Sequence, residues 1–518
     1  MMESELAMHE NTLYQFFMKH HKHIYWIGLV ISILTCLCFD MALTNDVWFM
    51  ISHTQHMIDS GFYPGTDVLS MHTDFVFVYQ KWAMCFLSYG VYQLFGRAGL
   101  YAGCYVLYAM FNASVYWLLN KLNPKALFCN IPVVIGISFA CMTYMNFRPH
   151  VVAGILIIYE IYVLETYAAG KMSNIRLNIS MFVISLLFMW FHSTMWYVCL
   201  IPIVSYLFDG ILNNKFIQSN KYDKIPIFGS IVSACIAACA QPNGLYQFKY
   251  MLICISATGD KYSHIDELMP FYEVPLHVMI FAVIIVISGI VLYHNKRLSL
   301  RSFYWFIGSV ILCFISDRLM FYAMIFFAVA LVSDIHAYWT RSSYKNCTNR
   351  LLYEAACVAG ISIMASMISF NTVCDYFKPT HIALYEGYYD GLYIIDEMDD
   401  AIDIRDLKLF TTSEVGSYCT IYGAKPYYDC RAEVYDIALN QSSDVLSEFP
   451  VVCTAMSRDE FTVQDVLDFQ EKYDFDYWIL HEELRPSEHV FLEAGAVCSH
   501  SAGEDGYAVY SFKHDTIF

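Results

Sequence analysis

The chain has 518 residues and a formal net charge of −18; 58% of its residues are hydrophobic and only 15% charged, and its mean hydropathy is +0.44. Soluble domains lie nearer about half apolar and a quarter charged, so this composition excludes an ordinary soluble protein and points to lipid. Residues 371–518 hold 29 acidic against 9 basic residues, which leaves the rest near neutrality and argues against nucleic acid or anionic lipid as partners.

In chain order, residues 24–43 form the first apolar run. The run is too long for the core of a cleavable signal and lacks a small-residue cleavage site, so it reads as a membrane helix. Further runs follow, separated by short polar breaks, each near the roughly 20 residues needed to cross the hydrocarbon. The expected spans are 24–44, 98–119, 128–146, 150–168, 177–191, 193–210, 225–241, 276–293, 299–315, 318–338 and 351–370. These make a polytopic α-helical membrane protein of about eleven transmembrane helices.

Basic residues sort by side. Fifteen, among them Lys22, Lys121, Arg176, Lys224 and Arg301, fall in one set of connections; six fall in the other. The excess of basic residues marks the cytoplasmic side, which puts the N-terminus inside and the acidic tail outside. This holds only if residues 82–96 do not cross. That stretch is short, and Trp82, Tyr89 and Tyr92 suit an interfacial helix.

The first external loop carries Asp46, His53, His56, Asp59, Asp67, His72, Asp74 and Lys81. Asp46 follows directly on the first span. A carboxyl at the lipid–water boundary beside Trp48 is desolvated on one side, which suits a general base; an ordinary helix cap is the competing reading. Polar groups recur at later outer breaks: Arg148, His192, Gln241 with Asn243, and Asp317 with Arg318. Singly, each reads as a snorkelling or paired residue; together they outline a cleft. Arg148, Lys81 and Arg318 in such a cleft would suit a phosphate or pyrophosphate. No Walker loop, dinucleotide fingerprint or His-Glu-x-x-His motif occurs, which argues against nucleotide chemistry inside the cell.

The tail, residues 373–518, reads as an extracytoplasmic α/β domain. Residues 407–411 form a strand, 414–422 a short helix and 425–430 a second strand. Thr462 and Asp465 open a capped helix, and 475–481 and 507–512 are further strands. Most of the 18 cysteines lie in apolar runs as small hydrophobes. Those of the tail, Cys374, Cys419, Cys430, Cys453 and Cys498, match no zinc spacing and leave both disulfides and free thiols open.

An Asp after the first span, the aromatic pair Trp48–Phe49, the turn Gly61, Pro64 and Asp67, and the Trp82-bearing helix to Gly96 resemble the start of the bacterial membrane glycosyltransferases of the GT-C superfamily. The likeness continues at Arg148–Pro149, His192, Pro242–Gly244 and Arg318. In the tail, Gly416, Tyr418, Asp429 and Arg431 resemble the motifs of a little-characterised bacterial branch. The resemblance implies a GT-C-like transmembrane domain over 1–372, with juxtamembrane helices in its loop 44–97, and a plasma-membrane transferase. Such an enzyme moves a sugar from a polyprenyl-phosphate carrier to an extracytoplasmic glycan, lipid or protein acceptor. By position, Asp46 is the base and Asp67 the second acid, orienting the acceptor or helping to hold a divalent metal in members that need one. Lys81, Arg148, Arg318 and His192 are the donor-phosphate contacts. The chain departs from the branch at Met50, where a His is usual, at Gln80–Lys81 before Trp82, where His-Glu is usual, and at Cys430, where Gly is usual. The replaced His and Glu motivate one alternative, a non-catalytic member that binds a lipid-linked glycan or an envelope partner; a lipid or sugar transporter is a further alternative.

Overall fold

The computed structural model describes residues 19–38, 43–61, 65–122, 127–141, 144–209, 222–256, 300–315, 319–341, 379–501 and 506–513, with isolated positions between 283 and 290. The chain divides into two compact units. One comprises Met1–Ala42, Tyr101–Leu245 and Thr258–Thr372; the other comprises Leu43–Leu100, Tyr246–Ala257 and Val373–Phe518.

The first unit is helical, with helices Leu127–Cys141, Pro149–Ala168, Asn174–His192, Leu200–Phe208, Ile225–Cys239, Leu300–Ile315 and Met320–Arg341. Their starts follow local rules. Arg148 is extended, and Pro149 at the first helical position supplies a fixed φ where no N–H is needed. The Ser173 side chain accepts from the Arg176 N–H and caps the next helix. Among the described residues, three helical stretches are long and apolar enough to cross a membrane: Trp82–Leu122, Pro149–Ala168 and Asn174–Phe208. That is fewer than the eleven expected spans. Helices such as Ile225–Cys239 are apolar but shorter, and the spans expected at 276–293 and 351–370 lie largely or wholly outside the described residues.

A polar cluster ties three helices of this unit. Arg301 pairs with Glu165 at 2.8 Å and with Asp209 at 3.5 Å. Tyr206 Oη donates to Glu165 at 2.6 Å, and Tyr222 Oη donates to Asp209 at 3.1 Å. Arg301, counted above among the cytoplasmic basic residues, is thus a half-buried, paired cation.

The second unit is mixed. Helix Asp46–Ser60 leads into a loop closed by an antiparallel bridge between Thr66 and Val76. Helix Trp82–Leu122 follows, of which this unit holds the part up to Leu100. It is divided at Gly96, whose φ of 61° and ψ of −155° only glycine adopts readily, so the helix up to Phe95 is a separate segment. The tail contributes helix Pro379–Ile402 and a five-stranded sheet: β1 Lys408–Phe410, β2 Lys425–Pro426, β3 Tyr477–Leu480, β4 Val497–Ser501 and β5 Ala508–Ser511. The strand order is β2-β1-β3-β5-β4. β1 runs parallel to β2 and β3, and β5 antiparallel to β3 and β4.

The strands expected at 407–411, 475–481 and 507–512 are present, as is the Thr462–Asp465 capping box. The second strand stops at Pro426 rather than residue 430, and β4 has no counterpart among the expected strands. Phe410 on β1 packs among Tyr427, Phe469, Phe475 and Trp478, with ring centroids 4.6–6.1 Å apart. This aromatic core anchors the sheet to helix Val463–Tyr473. Cys419, Cys430, Cys453 and Cys498 are free thiols, which decides the question the sequence left open for them; Cys374 lies outside the described residues. The unit reaches beyond the tail because the first loop and helix Tyr246–Ser256 bury apolar residues in it: Val78, Tyr250 and Leu439 form one cluster.

Candidate active site

The loop and the tail are knit by hydrogen bonds. The Met71 N–H donates to the Pro426 carbonyl at 3.2 Å, and Lys425 Nζ donates to the Val68 carbonyl at 2.6 Å. The Ser52 and Thr420 hydroxyls lie 2.8 Å apart, and His72 Nε2 is 2.9 Å from the Tyr427 carbonyl. Each of these links seats a residue of the 44–81 stretch against the 416–431 segment that the resemblance singled out.

Two ionic groups are buried within this seam. In the first, Lys81 Nζ lies 3.5 Å from Asp46 Oδ2, and both side chains are 9% exposed. Asp46 occupies the first turn of its helix, where the N-terminal dipole favours a negative charge. The Cys430 thiol donates to the other oxygen of Asp46 at 3.7 Å. The Lys81 ammonium also sits 5.0 Å above the Phe49 ring.

The second group is a carboxylate–guanidinium–carboxylate clasp. Arg431 Nη1 donates to Asp67 Oδ1 at 2.6 Å and to His53 Nε2 at 3.0 Å. Its Nη2 donates to Asp67 Oδ2 at 3.2 Å and to Asp429 Oδ2 at 2.6 Å. Its Nε lies 3.0 Å from both oxygens of Asp429. All five N–H donors of the guanidinium are therefore used. The side chains of Arg431, Asp67 and Asp429 are fully buried. A buried charge set of this kind persists only when fully paired. Because guanidinium can only donate, His53 Nε2 is the acceptor and the ring is neutral.

Electrostatics follow from the same contacts. Burial alone would raise the Asp67 carboxyl, but the charge and hydrogen bonds of Arg431 override it and hold the group well below its usual range. Burial, then the nearby Arg431 charge, push His53 well below its ordinary value. Burial also lowers His72, against the opposing hydrogen bond to the Tyr427 carbonyl. Burial, reinforced by Asp46 and Asp429, pushes the Cys430 thiol up, which keeps it protonated.

Asp67 shows why a divalent cation does not fit there. Beyond its two bonds from Arg431, Oδ1 accepts the Leu69 N–H at 3.2 Å and Oδ2 accepts the Ser70 N–H at 3.1 Å. Each oxygen is thus engaged twice. The cation beside Asp46 is the Lys81 ammonium. Among the described residues no group of three or more His, Cys, Asp or Glu side chains is arranged to hold a metal.

The tail motif residues have local explanations. A Cβ on Gly416 would drive into the Tyr428 carbonyl oxygen, so only glycine allows helix Ser413–Cys419 to lie this close to the 427–431 segment. Tyr418 packs edge-on against Trp48 with centroids 5.0 Å apart, and its hydroxyl donates to Asp396 at 2.5 Å. Arg97 holds the same carboxylate at 2.8 Å.

Of the residues singled out from sequence, Asp46, Asp67 and Lys81 come together in this unit. Arg148 and His192 belong to the helical unit: Arg148 is half-buried at the start of its helix, and His192 is buried at the end of another. Gln241 folds back on its own turn, donating to the Gly244 carbonyl at 2.8 Å and accepting the Asn243 N–H. Asp317 and Arg318 lie outside the described residues. His53 and Cys430 join the site without having been candidates for it on sequence, and Arg431 had been named only as part of the tail motif. The Asp-x-Arg spacing at 429–431 was the signal that pointed to Arg431.

No protein-family model matches the chain, and no curated protein does. The fold, however, is shared with solved structures. Two crystal structures of the Archaeoglobus fulgidus oligosaccharyltransferase superpose on it. The apo form does so with a TM-score of 0.56 and 12% identity, over 93% of this chain and 72% of that one. The form tethered by a disulfide bond to an acceptor peptide containing the NVT sequon gives 0.55 and 12%, over 93% and 71%. The chain therefore shares the fold of that oligosaccharyltransferase, and its described residues include helices long and apolar enough to cross a membrane.

Proposed function

We propose that this protein is a membrane glycosyltransferase that moves a sugar from a polyprenyl-phosphate carrier to an extracytoplasmic acceptor. The observation that carries the reading is the buried Asp46–Lys81 pair at the head of helix Asp46–Ser60, in a chain that shares its fold with an oligosaccharyltransferase along most of its length.

In this reading Lys81 is the donor-phosphate contact and Asp46 the base. An arriving phosphate draws the ammonium away and leaves the carboxylate free to accept the proton of the acceptor hydroxyl or amide. The acceptor atom attacks the anomeric carbon, the bond from that carbon to the phosphate oxygen breaks, and the lipid phosphate departs. Configuration inverts because the displacement is single. Asp67 serves this chemistry by fixing the loop through its clasp. Arg148, His192 and Arg318 remain proposed phosphate contacts on the strength of the sequence alone, and each Arg→Ala variant should weaken retention of a lipid-linked sugar. Residues 1–372 then form the transmembrane part, with about eleven crossings, and 373–518 lie outside the cell.

The replacement of an acid by Lys81 favours one other reading, a non-catalytic protein that binds a lipid-linked glycan with Asp46 permanently neutralised. Turnover decides between them: the Asp46→Asn variant folds and loses transfer if the first reading is right. Wild-type protein that binds the lipid-linked sugar and never transfers it supports the second.

A further inference from the structure

We infer that Arg431 is a positioning residue for the Asp46–Lys81 pair, an inference that rests on reading that pair as the reaction centre. Three contacts carry it. Arg431 Nη1 donates to His53 at 3.0 Å, and His53 lies seven residues, two turns, beyond Asp46 on the same helix face. Cys430, the chain neighbour of Arg431, places its thiol 3.7 Å from Asp46. Phe49, one turn from Asp46, presents its ring to Lys81 Nζ at 5.0 Å and to Arg431 Cζ at 5.9 Å.

Phe49 thus has one cation from each ionic group against its ring. The guanidinium is kept on Asp67 and Asp429, and the ammonium on Asp46. With all five donors committed, Arg431 does not compete for Asp46. Its side chain is fully buried, so it acts on the centre through His53, Phe49 and Cys430 rather than by touching a substrate. Lysine, a single ammonium on a flexible stem, cannot reproduce a five-donor fork between two carboxylates and an imidazole.

Local chemical labelling of the full chain in nanodiscs tests this without requiring turnover. Acetylation of Lys81 and alkylation of Cys430 by N-ethylmaleimide are followed by peptide-resolved mass spectrometry. Cys419, buried in the same unit, and Lys513, which pairs with Asp474 and Asp476 just beyond β5, serve as internal references. Arg431→Lys should raise labelling at Lys81 and Cys430 by about tenfold or more, corresponding to loss of roughly 1.4 kcal/mol of local order, with Cys419 and Lys513 unchanged. His53→Ala keeps every charge paired and should raise the same two positions by a smaller factor; it carries the test if Arg431→Lys fails to fold. Unchanged labelling at Lys81 and Cys430 in a folded variant would overturn the inference. So would a parallel rise at Cys419, which would mean that Arg431 merely holds the fold. A protein that passes this test yet transfers no sugar contradicts the proposed reaction and leaves the positioning role standing.

Discussion

At the scale of single residues, the buried imidazoles and Asp67 make stability depend on pH in a defined direction. His53 and His72 titrate below their ordinary value in the folded chain, so the unfolded chain binds their protons first. Their contribution is fully present above about 6.5 and is lost as pH falls from there toward the folded values, by up to about 1.4 kcal/mol per pH unit for each ring. Asp67 is also lowered. Its contribution is present above about 3.9 and is lost as pH falls through its folded value. The thermal midpoint should therefore drop between pH 7 and pH 5, before Asp67 titrates, and His53→Gln should flatten that limb. A midpoint constant from pH 8 to pH 5 would contradict this account of the two rings. Asp46 and Lys81 stood out in the sequence because ionisable groups crowd one loop next to an apolar span, and Asp67 through the resemblance carried by its Gly61–Pro64–Asp67 turn. The partner of Asp67 was not: Arg431 is 364 residues away, and a buried ion pair leaves no periodic mark on either segment.

At the scale of elements, the sheet and capped helix of the tail could be read because alternation and capping are local signals. β2 ends early because residues 427–431 leave the sheet to carry Asp429 and Arg431 into the clasp and to meet Gly416. Gly416→Ala places a methyl group against the Tyr428 carbonyl oxygen, and the neighbouring element is backbone, which cannot rotate away. We expect a destabilisation of about 1–3 kcal/mol, typical of overpacking, read as a lower thermal midpoint of the full chain. A Gly416→Ala protein as stable as wild type would show that helix Ser413–Cys419 and the 427–431 segment need not lie so close. The helix break at Gly96 has a similar local cause in backbone conformation.

At the scale of the whole molecule, composition announced a membrane protein, and the fold agrees in kind with an archaeal oligosaccharyltransferase. The crossings were harder to read. Hydropathy marks apolar runs, but it does not say which run is a full crossing and which is a shorter buried or interfacial helix, and three described stretches meet the length requirement. Orientation rests on the distribution of basic residues. In intact cells or oriented vesicles, an impermeant thiol reagent should modify a cysteine introduced at exposed Glu471 from the outside. Protection of that position until the membrane is permeabilised would invert the proposed topology.

The assignment on which the proposed function depends most is Asp46 as the base of a sugar transfer from a lipid carrier. The most direct measurement is transfer by purified protein in nanodiscs, supplied with polyprenyl-phosphate-linked sugars and candidate acceptors, comparing wild type with Asp46→Asn. Wild type should give inverted product and the variant should lose about 100-fold or more, as expected when a general base is removed, with the thermal midpoint preserved. Transfer by Asp46→Asn at the wild-type rate would contradict the assignment.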